Sequence, residues 1–384
     1  MTVSALRQQI REWCAARAEE QLRLLCEIAA IPSPSLHEER RAAFLLAWLR
    51  GRGLQGAYTD EAKNVLLPLG CEGRNDITVL AAHTDVVFPD TEPLPVRTDD
   101  ARIYAPGVGD DTANVTALLL YAEFLRDHPP AVPLLLVWNS CEEGLGNLRG
   151  SRAVCDAFAG RIKAFISFDG QYTSLVNRAV GSERWRVTAR TAGGHSYAAF
   201  GAPNAIAEAA GLIAALYRQE VPAADGRKTT FNVGTISGGT SVNSIAQDAE
   251  FTYEYRSDDH SALEQMRSRF LSMIEARQDG RVRWEAELIG ERPCGEAADA
   301  EAERRLLDRC GRAVESVTGT FPGFRASSTD CNIPFSRGIP ATAFGLYLGA
   351  RSHTREEYVE RASLQTGLEI GLALLADLAG ISRI

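Results

Sequence analysis

The sequence predicts an α/β fold: a mostly parallel sheet with helices on both faces, interrupted by an inserted ferredoxin-like α+β module. Three observations carry that expectation. Near-continuous apolar runs at 77–82, 133–138, 164–168 and 341–346 read as strands buried on both faces. Between the first two runs, Val115, Leu118, Leu119, Ala122 and Leu125 recur at helical spacing until Pro129-Pro130 ends the pattern. Strand, helix, strand is the order of a parallel crossover. The stretch 182–288 differs, with strands expected at 185–191, 229–236, 250–256 and 282–288 and helices at 202–217 and 262–276. That β-α-β-β-α-β order is the split βαβ arrangement.

The N-terminal segment is expected to be helical, since Leu6, Ile10, Trp13 and Cys14, then Leu22, Leu25 and Cys26, repeat at helical spacing. Ile31-Pro32-Ser33-Pro34-Ser35 breaks the pattern, because each proline removes a donor and restricts its predecessor. A second helix should start near Glu38-Glu39-Arg40 and present Phe44, Leu45, Trp48 and Leu49 on one face. A chain of 384 residues is long enough for two or three domains. The expected division is a catalytic metal-binding domain at 1–180 and 290–384, with the inserted dimerisation or lid domain at 181–289. No internal repeat or flexible linker is evident.

Composition narrows the function. Lys+Arg 41 against Asp+Glu 50 gives a net charge of −9, which argues against nucleic-acid or anionic-membrane partners that need a basic stripe. The longest apolar run, 131–138, is far too short to span a bilayer. No apolar block stands in the first thirty or so residues, so a secretory signal is not expected. Eight cysteines lack C-x-x-C spacing, which gives neither a thiolate zinc site nor a disulfide framework support. A soluble, cytoplasmic chain is the expectation.

Acidic and imidazole groups stand where strands should end: His83-Thr84-Asp85, Asp110-Asp111 at a helix start, Glu142-Glu143, Asp169 and His353. In open α/β sheets the ligand crevice lies outside the carboxyl ends of the strands, so these groups would converge. Two imidazoles with several carboxylates form a donor set for zinc, manganese or cobalt that needs no cysteine. Taken singly, each has a plain structural explanation. His83 suits a half-buried strand end, Asp110-Asp111 suits a helix cap, and Glu142-Glu143 and Asp169-Gly170 suit turns. Their joint occurrence is what points to chemistry. His37, His128 and His260 read as surface residues near helix ends.

The stretches AAHTDVV (81–87), YAPGVGDD (104–111), NSCEEG (139–144), SFDG (167–170), GGHS (193–196), SVNSIA (241–246), YRSDD (255–259), STDCNIP (328–334) and SHT (352–354) run across most of the chain. In that order the sequence resembles the dinuclear metallohydrolases that include peptidase T, carboxypeptidase G, aminoacylase-1, acetylornithine deacetylase and succinyl-diaminopimelate desuccinylase. It looks closest to the peptidase T-like members. The resemblance implies a zinc-exopeptidase-type catalytic domain holding two divalent ions, zinc first, with cobalt or manganese acceptable. His83 and Asp169 would hold one ion, Glu143 and His353 the other, and Asp110 would bridge them, followed by a cis peptide to Asp111. Asp85 would accept the His83 imidazole N–H and fix its tautomer. Glu142 would be the general base, because neighbouring residues at a strand end point different ways.

His195 would come from the partner subunit of a homodimer and donate to the developing oxyanion. Arg256 would hold a substrate carboxylate with its guanidinium fork, while Asn243, Ser328 and Thr329 are weaker substrate contacts. The bland alternatives are a strand-end ion pair of Arg256 with Asp258 or Asp259, and turn formation for the others. Thr112-Ala113-Asn114 replaces the Lys-Gly-Gly of many relatives, and Arg351 adds a positive group where relatives are glycine-rich. In such relatives aspartate at the Asp169 position goes with amino-, di- and tripeptidases. The expected substrate is therefore a short peptide with a free amino terminus. An N-acyl-amino-acid deacylase or glutamate-carboxypeptidase-like amidohydrolase is the alternative.

Overall fold

The four apolar runs become adjacent strands. In the computed structural model, which describes residues 3–222 and 226–381, Leu134–Asn139, Ile77–His83, Ile162–Ser167 and Ala341–Ala343 lie side by side in that order, all parallel. Tyr58–Thr59 and Val65–Leu69 extend one side, and Ser174–Ala179 and Gly323–Ser327 the other, making eight strands. Val65–Leu69 and Ser174–Ala179 join the parallel centre antiparallel. Every residue of Ile77–His83 and Leu134–Asn139 is buried, the reason these runs carry no polar alternation.

Strand alternation splits the core between two faces. Leu80 and Leu136 meet Leu118, Leu119 and Phe124 on one side. Val79, Leu135 and Val137 meet Val154, Phe158 and Phe165 on the other. Full burial of each such side chain contributes roughly 1.5–3 kcal/mol. The helix Asn114–Asp127 is less amphipathic than its spacing predicts: residues 114–125 are all buried. It touches the sheet and also the helices Ala18–Ala29, Glu39–Gly51 and Arg361–Ala379, which leaves almost no face for water. Arg361–Ala379 is long and apolar enough to cross a membrane by length and composition, yet Leu368, Leu372 and Leu375 are buried in this core.

The strand expected at 341–346 stops at Ala343 because the chain turns toward other partners. The Phe344 carbonyl accepts the Asp169 N–H at 3.1 Å, and the Leu346 N–H donates to Asn114 at 2.7 Å. A small sheet of Arg97–Thr98, Arg102–Tyr104, Gly349–Ala350 and Tyr358–Glu360 was not legible in the sequence. Two of its strands flank the loop that bears His353.

The second unit is Val180–Gly295; the first is Met1–Ala179 with Glu296–Ile384. In the second, Thr229–Gly238, Asp248–Ser257, Gly181–Arg190 and Arg283–Arg292 form an antiparallel sheet in that order. Ala205–Leu216 and His260–Glu275 complete the ferredoxin-like arrangement. Val187, Phe251, Tyr253, Leu212, Met266 and Phe270 form its core. Its last strand runs on to Arg292, beyond the Leu288 end expected from sequence, because a register shift between Leu288 and Gly290 breaks the apolar alternation.

Candidate metal centre

Each metal-ligand candidate stands where the sheet delivers it. His83 is the last residue of Ile77–His83. Glu142 and Glu143 follow Leu134–Asn139, and Asp169 follows Ile162–Ser167. Asp110 sits in the turn before Asn114–Asp127. That turn packs tightly: a β-carbon at Gly109 would stand 2.7 Å from the Tyr347 ring, so only glycine fits. The Asp110–Asp111 peptide is cis.

Asp110 is the centre of the arrangement. Its Oδ1 lies 3.1 Å from His83 Nε2 and its Oδ2 lies 3.1 Å from His353 Nε2. His353 Nε2 is also 3.2 Å from Glu143 Oε1. Donor atoms of His83, Asp110 and Asp169 all lie within 4.8 Å of one another, as do those of Asp110, Glu143 and His353. The two groups share only Asp110. A third grouping joins His83 with Glu142 and Glu143.

Electrostatics describe a pocket with too many carboxylates for its two imidazoles. Burial, with Asp110 and Glu142 nearby, pushes Glu143 up to about 7 despite its hydrogen bond with His353. Burial and the Asp110 charge raise Asp169 well above the carboxylate range. Burial also works against the Asp110 anion, but hydrogen bonds with His353 and His83 hold it below that range. The same Asp110 and Glu143 contacts push His353 up to about 10. Clustered carboxylates and neutral-capable imidazoles are the donors that divalent ions take at nitrogen–oxygen sites, and bound cations would offset the surplus negative charge. The donor set therefore fits a metal pair sharing Asp110.

Several contacts that hold this geometry escaped the sequence reading. The Asp85 carboxylate accepts the N–H groups of Glu142 at 2.9 Å and Glu143 at 2.8 Å, and the Ser35 hydroxyl at 2.6 Å. His83 Nδ1 lies 3.1 Å from the Asp85 backbone oxygen and 3.6 Å from its carboxylate, so the expected side-chain contact is the longer one. Asp111 is no helix cap: its carboxylate accepts the His83 N–H at 2.9 Å and an Asn114 amide N–H at 2.5 Å. Glu357 accepts the N–H groups of Gly107, Gly109 and Asp110 at 2.8–3.0 Å, tying the Asp110 turn to the His353 loop. Arg41, fully buried, donates to the Thr84 carbonyl and to the Thr112 hydroxyl, near the charges of Asp85 and Asp111. One signal was present: Arg41 falls in register with buried Leu45 and Leu49 on its helix, where a charge needs an explanation.

The remaining candidates are placed as follows. His195, in the second unit, lies on the short strand Gly194–His195 that pairs with Ser244–Ile245. Its Nδ1 accepts the N–H groups of Tyr197 at 3.2 Å and Ala198 at 3.4 Å. That leaves the proton of the neutral ring on Nε2, facing outward from the turn as a donor. Arg256 pairs with neither Asp258 nor Asp259. Its Nε and Nη2 bind Glu254 at 2.8 and 2.9 Å, two positions back on the same strand face. Asn243 accepts from the Ser241 hydroxyl at 2.6 Å, and its carbonyl accepts the Ser196 N–H. Thr329 is buried and its hydroxyl accepts the Cys331 N–H, while Ser328 beside it is half-buried.

Residues 79–377 match the family model described as peptidase family M20/M25/M40. Among solved structures the chain is similar to the aminopeptidase PepT from Bacillus cereus, with 20% identity, a TM-score of 0.71 and coverage of 94% of this chain and 99% of that one. A tripeptidase from Staphylococcus aureus gives 20% identity and a TM-score of 0.75 at the same coverage. Human carnosine dipeptidase 1 gives 15% identity and a TM-score of 0.74, covering 98% of this chain and 99% of that one. At such identities the likeness is one of fold. Comparison with curated proteins found no match.

Proposed function

The chain belongs to peptidase family M20/M25/M40, and from that premise we propose that it is an exopeptidase releasing an amino acid from a short peptide with a free amino terminus. The observation that carries this reading is the pair of donor groups sharing Asp110, one oxygen toward each imidazole. His83 and Asp169 would hold one divalent ion and Glu143 and His353 the other, with Asp110 between; zinc, cobalt and manganese all suit such donors. When bound, the ions supply Lewis-acid polarisation of the amide carbonyl and lower the pKa of the attacking water.

The chain's own groups supply the proton traffic. Glu142, buried and with its N–H pinned to Asp85, is the proposed base. It takes a proton from water and returns it to the departing amine. Asp85 serves the reaction by fixing the Glu142-Glu143 backbone. His195 is the proposed oxyanion donor through Nε2–H, reaching the site of a partner subunit in a homodimer. Asn243 and Ser328 remain proposed substrate contacts, Thr329 acts there through its turn, and Arg256 would have to exchange Glu254 for a substrate carboxylate. Asp169, rather than glutamate, supports a free-amine substrate over an N-acyl one. The test compares a tripeptide with its N-acetyl form on the metal-loaded protein. Faster cleavage of the free tripeptide is expected; preference for the acetylated form would reassign the chain as an N-acyl amidohydrolase.

A further inference from the structure

We propose that a cavity between the helix Ala300–Thr318 and the edge strand Gly323–Ser327 is a second binding site, and that it takes a small organic ammonium with an aromatic or branched aliphatic body. All of its lining residues belong to the first unit. Its volume is about 510 Å³, within the roughly 300–1,000 Å³ that small-molecule sites occupy. The site goes beyond the hydrolase reading and does not depend on it.

A buried carboxyl is the anchor. Glu303 lines the cavity and is only 9% exposed. Its Oε2 accepts the Ala341 N–H at 2.9 Å, while Oε1, also buried, has no hydrogen-bond partner among the described residues. A buried acceptor left in that state is costly, and burial also pushes the carboxyl up to about 7. A ligand that brings N–H donors and a positive charge offsets both costs at once. The rest of the lining has the same preference: Glu296, Glu303 and Asp308 stand against Arg304, a balance that favours a cation. Asp308 is exposed and binds Arg312 at 2.8 Å, which leaves the deeper Glu303 to meet the ligand.

An aromatic wall selects the body of that ligand. Phe321 and Phe324 are exposed, with ring centroids 6.2 Å apart and 67° between their planes. Phe321 is seated on the helix, since a β-carbon at Gly311 would stand 2.2 Å from its ring and only glycine admits it. With Ala300 and Leu307 these rings offer apolar surface and π faces that attract a cation. The cavity is also separate from the proposed metal donors. Glu303 holds the amino end of Ala341–Ala343, whereas the Asp169 contact lies past its carboxyl end, at Phe344.

The experiment titrates 2-phenylethylamine and its neutral counterpart 2-phenylethanol into the metal-loaded wild-type, Glu303→Gln and Phe324→Ala proteins by calorimetry at pH 8, where the Glu303 carboxyl is mostly ionised. One amine per chain with a Kd below about 1 mM is expected, and the alcohol should bind at least about tenfold more weakly. Glu303→Gln should lower the amine affinity by about 10- to 100-fold and barely change the alcohol, the size expected of a lost charge-assisted hydrogen bond. Phe324→Ala should weaken the amine by about two- to fivefold. A wild-type Kd above about 1 mM, equal affinity for amine and alcohol, or undiminished amine binding in Glu303→Gln would overturn the site. Phe324 is exposed, so its replacement spares the core and decides the matter should Glu303→Gln fail to fold. Unchanged amine affinity in Phe324→Ala would then place the ligand elsewhere.

Discussion

Glu142 and Glu143 have the same side chain and different surroundings. Both N–H groups are held by Asp85, and Cys141 before them adopts a left-handed φ of 60°. The two side chains have different neighbours: Glu143 meets His353 and groups with Asp110, while Glu142 groups with His83 and Glu143. Replacing Glu142 with Gln should leave the metal content per chain unchanged by elemental analysis. It should cut kcat by about a hundred- to ten-thousand-fold, the range for removing a general base. A variant that turns over at the wild-type rate would remove Glu142 from the mechanism. The proposed ligands were legible as candidates because metal binding would demand particular residue types at the carboxyl ends of strands, and those ends show as the limits of apolar runs. Ser35, Asp111 and Glu357 were not, because they act on backbone N–H groups or on distant side chains. Glu357 and its partner Gly107 are 250 positions apart, and nothing local in either stretch marks the contact.

The same contrast holds for elements. Strands buried on both faces show as apolar runs, and a crossover helix as helical spacing, so the parallel centre of the sheet was readable. Gly349–Ala350, with two residues, is too short to show a period, and the paired edge strand Gly323–Ser327 is largely exposed. The helix Ala300–Thr318 illustrates how an element's setting alters its chemistry. Its Glu303 is 9% exposed and accepts the Ala341 N–H at 2.9 Å, where the central strand Ala341–Ala343 begins. Burial pushes its carboxyl up to about 7. The folded protein thus keeps a proton that the unfolded chain releases above the ordinary glutamate range. Between about pH 4.5 and 7 stability falls as pH rises, and above pH 7 the loss is complete, up to ~3 kcal/mol. Glu303→Gln keeps an acceptor for Ala341 and removes the titration. Urea unfolding should find the variant more stable than wild type at pH 8 and equal to it near pH 4.5. A variant that is less stable at pH 8 would show that the folded protein favours the charged carboxylate.

At the scale of the whole molecule, the proposed metal donors belong to one unit and His195, the proposed oxyanion donor, to the other. The second unit presents the open edge of its sheet along Thr229–Gly238, where Ile236 is 55% exposed, and Ile206 on the neighbouring helix is 42% exposed. An unpaired apolar edge of this kind is a ready surface for a second copy, since strand edges that stay monomeric are usually charged or covered. If His195 acts in trans, each active site takes Glu142 from one chain and His195 from the other. Homodimers of Glu142→Gln and of His195→Gln should then both be nearly inactive. Mixing and allowing subunits to exchange should create heterodimers in which one site carries both defects and the other carries neither. At equal proportions about half the dimers are mixed and half their sites are intact, so roughly a quarter of wild-type activity should return in a symmetric dimer. Sedimentation before and after mixing would confirm the dimer, and mass-tagged chains would confirm exchange. Verified exchange with no recovered activity would place His195 in the site of its own chain, and a sedimenting monomer with full activity would remove the dimer from the mechanism.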